Sequence, residues 1–295
     1  MRSPIQILLQ TTIPTTADDW SIARFSLLAS HLQSIQDASG QQLFEVTSRD
    51  RDTLGTPDSI LSTLDQRSFD QLWLFAVDVG DGLMPDDCDG ITRFREHGGG
   101  MLVTRDHMDL GSSICTLSGV GAAHHFHSRN VDPDALKEVD DPYTTNILWP
   151  NFHSGANGDF QTIEVKASPH PVLSNFESPT GSIRYLPAHP HEGAVSAPAG
   201  QNARVIATGR SQTTGREFNL AVAFESERGN GRAIAESTFH HFADYNWSPA
   251  RGAPSFVTEP VGDALGRNPI AMADVHWYAR NIALWLANLS GPAGG

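Results

Sequence analysis

The chain of 295 residues predicts an α/β fold, a parallel sheet covered by helices on both faces. Two observations carry this. Compact apolar runs alternate with amphipathic segments as far as about residue 110, the order expected when strands pair in parallel through helical crossovers. Those runs also read as continuously hydrophobic, as strands buried on both faces do.

The elements follow in order. "PIQILLQTT" (4–12) is the first strand. In the segment after it, Thr15 or Thr16 is placed to cap a helix, and Asp18 and Asp19 suit its positive start. Phe25, Leu28, Leu32 and Ile35 then recur at helical spacing. "QLFEVTSRD" (42–50) reads as a second strand, "PDSILSTLDQRSF" as a short helix, and "FDQLWLFAVD" (69–78) as a third strand. Pro85 and the acids behind it open a helix that His97 and Gly98 close. "GGMLVTRDH" (99–107) is a fourth strand. From about 118 to 200 the alternation stops, and Gly, Pro, Asn and His dominate. A long irregular stretch of this kind marks a functional insertion. The whole of 1–295 therefore reads as a single domain with one irregular insertion. Strands resume at 203–210, 218–226 and 231–239, with "ERGNG" as a hairpin turn. The last helix carries Val275, Tyr278, Ile282 and Trp285 as its apolar stripe.

Composition narrows the function. Net charge is −14 with no Lys/Arg cluster, so the phosphate-binding footprint of a nucleic-acid partner is missing. No run of about 18 apolar residues predicts a membrane span. The N-terminus lacks a signal-peptide pattern. Cys88 and Cys115, without metal spacing, read as free thiols in a reducing compartment. A cytoplasmic protein with a small-molecule substrate is expected, and assembly into a homo-oligomer is compatible with the sequence.

Histidine stands out, with 13 residues, most outside the expected helices. In parallel sheets ligands bind beyond the carboxyl ends of the strands, which directs attention to Arg105, Asp106 and His107, and to His240 and His241. Asp106 and His107 are candidate acid/base residues, with Arg105 binding a polar oxygen. His240 and His241 are further candidates, with Asp244 close enough to orient an imidazole. In "HHFH", His125 and His127 fall on one side of an extended segment and could share a metal. In "HSGANGD", His153 could meet Asp159. In "HPHE", Pro190 keeps His189, His191 and Glu192 extended. Trp149, Tyr245 and Trp247 are candidate walls for a substrate. Glu236, if buried, requires a partner. A divalent metal, zinc or manganese, is the candidate cofactor. No G-x-S-x-G elbow, P-loop, G-x-G-x-x-G or H-E-x-x-H motif occurs.

The segments "FDQLWLF", "ITRFREHGGGMLVTRDH" and "GRAIAESTFHHF" resemble the ThuA-like (trehalose-utilisation) branch of the class I glutamine amidotransferase-like superfamily. The resemblance covers about 4–117 and 203–290. It implies a flavodoxin-like sheet and carbohydrate-related chemistry, with His240 or His241 matching the family's later histidine. Amidotransferases place a nucleophilic cysteine after the fourth strand. Here Asp106 or His107 stands there, which rules out thiolate glutamine hydrolysis on this alignment. The sequence therefore predicts an enzyme, a hydrolase or isomerase, with a His/Asp site acting on a carbohydrate-related or other small polar substrate. The alternative is a non-catalytic small-molecule or carbohydrate-binding module of the same fold.

Overall fold

Side chains along the first apolar run alternate between two cores, and the sheet forms between them. The computed structural model describes residues 3–17, 19–117, 119–133 and 146–289. Strands β1 (Ile5–Thr11), β2 (Phe44–Arg49), β3 (Gln71–Phe75) and β4 (Gly100–Thr104) come first. In the irregular region lie short strands β5 (His124–His125), β6 (Phe160–Thr162), β7 (Glu164–Val165), β8 (Tyr185–Pro187) and β9 (Ala194–Val195). Strands β10 (Ala203–Arg210), β11 (Glu217–Phe224) and β12 (Ala233–Glu236) follow. The helices are α1 (Ser26–Ser34), α2 (Pro85–Glu96), α3 (Asp244–Trp247), α4 (Ala264–Arg267) and α5 (Pro269–Leu286).

The main sheet runs β2-β1-β3-β4-β12-β11-β10-β7. Its first five strands pair in parallel and the last three antiparallel. Ile7 and Leu9 of β1 join Trp73 and Phe75 of β3 in one core, under α1 and α5. Leu8, Leu72 and Leu74 point the other way, to Ile91 and Phe94 of α2. That alternation is the period-2 geometry of a strand. In this strand order the direction of progression reverses between β1 and β3, which opens a crevice at their carboxyl ends.

Two expected elements differ. The cap of the first helix is not Thr15 or Thr16. A 3₁₀ turn at Ile22–Phe25 precedes α1, and Ser21 caps it by accepting from the Ala23 amide. The Asp244 carboxylate then accepts from the Leu27 amide at 2.8 Å and the Ser26 hydroxyl at 2.5 Å. Asp18 lies outside the described residues. The short helix expected at 57–69 is only a 3₁₀ turn, Leu61–Thr63. Asp58 accepts three nearby amides, of Asp52, Ile60 and Leu61, and so fixes a turn where a helix would need backbone pairing. Helix α2 begins at Pro85 as expected, with Asp87 accepting from the Met84 amide. Among the described residues no helix is long and apolar enough to cross a membrane.

Candidate functional site

Strands β4 and β12 are parallel neighbours, so the residues just beyond each emerge at the same rim. The Phe239 amide donates to the Arg105 carbonyl at 2.8 Å and ties the two exits together. Short bridges bring in the insertion: Phe152 pairs with Glu192, and the Gly193 amide donates to the Ser237 carbonyl.

Asp106 is the hub. Its Oδ1 accepts from the His107 amide at 2.7 Å and lies 3.1 Å from His107 Nδ1. The Nε2 atoms of His189 and His240 each stand 3.6 Å from the same oxygen. The His189 and His240 rings stack at 3.4 Å between centroids, and His191 lies edge-on to both His107 and His189. Each stacked ring is held from behind. His189 Nδ1 meets Asn157 Oδ1 at 2.9 Å, and His240 Nδ1 meets the Tyr245 hydroxyl at 2.9 Å. Burial pulls the His189 imidazole well below its ordinary pKa, and the neighbouring His240 adds to this. Burial alone would raise the Asp106 carboxyl, but His107 and His240 outweigh it and hold the group well below the usual carboxylate range. An ionised carboxylate among imidazoles can orient a base, hold a proton or ligate a metal.

Asp106 also lines a cleft of about 250 Å³, walled by Ile13, Trp20, Val77, Leu110, Phe239 and Phe256. All but Phe256, which comes from the loop before α4, follow β1, β3, β4 or β12, so the cleft lies at the crevice that the strand order dictates. Two larger clefts, one near Arg67 and His97 and one near Arg280 and Trp285, lack this convergence of imidazoles.

A second group lies deeper. His241 is fully buried between two carboxylates, with Nδ1 3.0 Å from Glu236 Oε2 and Nε2 3.2 Å from Glu192 Oε1. Glu192 also accepts from Ser154, Gln161 and Ser237. Glu236, whose burial called for a partner, has a second one in the Tyr278 hydroxyl. Burial pulls His241 down, but Glu192 and Glu236 outweigh it and push its pKa up to about 10.

Of the residues singled out in the sequence, Asp106, His107, His189, His191 and His240 converge. The others do not. His241 and Glu192 sit in the buried ion group, away from the cleft. Asp244 does not orient an imidazole, because its carboxylate is taken up at the start of α1. Trp247 donates from Nε1 to the His241 carbonyl and packs on His276, so it does not wall the cleft beside Asp106. His125 and His127 form no shared metal pair. The His125 nitrogens are occupied by the Asn130 carbonyl and the Ser196 hydroxyl, and His127 stands 4.0 Å from Asp109. His153 stays outside both groups, and Asp159 accepts from the Ala264 amide rather than meeting it. Trp149 is buried away from the cleft lining, and Tyr245 backs His240.

Arg105 binds no outside oxygen either. It is fully buried, and its guanidinium donates to the carbonyls of Asp106, Met108, Ala194 and His125 while stacking over Phe126. It is the clamp that fixes the turn after β4. Arg105→Lys keeps the charge but loses this fork, and should lower stability by roughly 1.5–3 kcal/mol in urea unfolding.

Sequence reasoning missed Asn157, which carries no signal beyond its glycine-rich loop, and the walls Trp20, Phe239 and Phe256. Trp20 and Phe239 were open to the strand-end rule, since they follow β1 and β12.

No protein-family profile and no curated protein matches the sequence. Solved structures do. A ThuA-like protein from Parabacteroides merdae aligns over 97% of this chain and 90% of its own, with TM-score 0.50 and 16% identity. A ThuA-like protein from Bacteroides uniformis aligns over 96% and 93%, with TM-score 0.48 and 10% identity. The glutaminase domain of Trypanosoma brucei CTPS, solved with acivicin, aligns over 97% and 95%, with TM-score 0.48 and 13% identity. At 16% identity the likeness to the Parabacteroides merdae protein speaks to architecture alone: the chain has a flavodoxin-like α/β fold, as its β2-β1-β3-β4-β12 parallel strand order also shows.

Proposed function

We propose that this chain is an enzyme that uses the Asp106–His107 pair for general acid–base chemistry on a small molecule seated in the neighbouring cleft. One observation carries the reading: among the described residues Asp106 is the only charged side chain lining that cleft, and it is also bonded to His107. With Nδ1 directed at the carboxylate, His107 keeps Nε2 free to take a proton, and the side chain is only partly buried. Hydrolysis is the reaction this pair performs most simply, since water then supplies the nucleophile. His191, edge-on to His107 at 4.9 Å, is placed to return a proton to the leaving group. The walls Trp20, Phe239 and Phe256 offer flat apolar faces, which suit a molecule that is polar at its rim and apolar on one face. A carbohydrate or carbohydrate derivative has that form.

The test is a panel of simple esters and O- and N-acetylated sugars, followed by release of acid. Turnover is expected, with His107→Ala slower by on the order of 10²–10⁴. Sugar binding that His107→Ala leaves unchanged, with no turnover on any substrate, would instead identify a binding module. Phe256 is half exposed, so Phe256→Ala should fold normally. It should raise KM by roughly 0.5–1.5 kcal/mol of lost ring contact, up to about tenfold, with kcat retained.

A further inference from the structure

We propose that Asp106, His189 and His240 form a binding site for a divalent metal ion of the zinc type. The inference deepens the reading above, because the site shares Asp106 with it. It rests on ligand geometry, however, and its readout is metal binding, so either can fail alone.

The argument begins with tautomers. Asn157 Oδ1 can only accept, so His189 carries its proton on Nδ1 and presents a lone pair at Nε2. That Nε2 is buried and has no hydrogen-bond partner. It faces the Asp106 oxygen at 3.6 Å. A lone pair opposed to a carboxylate oxygen is unfavourable unless a proton or a metal cation lies between them, and burial disfavours the protonated imidazole. His240 has a similar placement, with Nε2 at 3.6 Å from the same oxygen, and presents a lone pair there when the Tyr245 hydroxyl accepts from its Nδ1.

The donor separations match those around an ion, and the two rings, stacked within 13° of parallel, would turn apart to aim both lone pairs at it. Donors held at about 2.1 Å in tetrahedral geometry stand roughly 3.4 Å apart, close to the 3.6 Å observed from Asp106 to each imidazole. All three donor atoms lie within 4.8 Å of one another. The ring nitrogens turned away from the centre have the fixed partners that metal-bound histidines characteristically have. Three protein donors leave one position open, as in catalytic rather than structural zinc sites. Asp106 borders the cleft, which gives that position an approach. His107 and His191 join His189 in a further group of donors within 4.8 Å, placing two more imidazoles beside the ion. Bound there, the ion would supply Lewis acidity to water or to a substrate oxygen.

The test uses the full chain, stripped with chelator and titrated with Zn²⁺ and Co²⁺. Bound metal, cobalt visible absorption and Tm are followed. The wild type should take one tight equivalent per chain, with low-coordinate cobalt bands and a raised Tm. His189→Gln and His240→Gln should lose that equivalent, while the exposed His97→Ala keeps it. Tyr245→Phe removes only the group behind His240 and should weaken binding by roughly 10- to 100-fold. A wild type with no tight equivalent overturns the proposal, as does an equivalent that persists in both glutamine variants. Should those variants fail to fold by circular dichroism, the wild-type stoichiometry and Tyr245→Phe decide, and unchanged affinity in the latter overturns it. Tight metal with no hydrolysis on the panel upholds the site and rejects the hydrolase.

Discussion

His241→Leu is expected to lower the unfolding free energy by roughly 3–5 kcal/mol, the usual cost of removing one partner from a buried ion group. Leucine fills much of the imidazole's volume, so the loss is electrostatic more than steric. It leaves Glu192 and Glu236 buried without the cation that both now contact. Urea unfolding of the two proteins at pH 7 measures this, and a loss below 1 kcal/mol would show the group to be unimportant for stability. The effect also depends on pH. Because the folded state raises the His241 pKa from 6.5 to about 10, its stabilisation is fully present below about pH 6.5. It is lost as pH rises toward 10, by at most about 1.4 kcal/mol per pH unit. Burial acts in the opposite sense on His31 and His170, lowering each to about 4. These cost stability as pH falls from 6.5 toward 4, because the unfolded chain protonates first. Stability should therefore peak near neutrality, with the alkaline decline weakened in His241→Leu.

Asp106→Asn is the second large effect, expected in turnover rather than in folding. The amide keeps the shape of the carboxylate and loses its charge, and it can present a donor where His107 and both stacked imidazoles now face an acceptor. The His107 tautomer is then no longer fixed, and kcat/KM should fall by on the order of 10²–10⁴. In the proposed metal site the same change removes the anionic ligand, so tight metal binding should weaken in parallel. Asp106→Asn with turnover near that of the wild type on a substrate the wild type hydrolyses would remove Asp106 from the chemistry.

The site was only half legible because its members come from distant segments. "TRDH" and "TFHHF" both follow apolar runs, so the strand-end rule selected Arg105, Asp106, His107, His240 and His241, with His241 favoured for catalysis. It could not separate His240 from His241. Adjacent residues on a 3₁₀ turn point in different directions, and His240 faces Asp106 while His241 faces the interior carboxylates. His125 and His127 have a spacing that suggests a metal, yet a carbonyl and a hydroxyl already occupy the His125 nitrogens.

By itself the sequence determined the alternation of strands and helices, the faces of α1 and α5, the ends of α2, and the rim where chemistry could sit. Those follow from local periodicity, caps and burial, which each segment carries within itself. Only the tertiary structure decided which imidazoles meet, that Arg105 is a clamp, and that Asp244 serves α1. Those outcomes depend on contacts between segments far apart in the chain, set by the pairing of β4 with β12 and the bridges from the insertion, and no spacing within one segment encodes them.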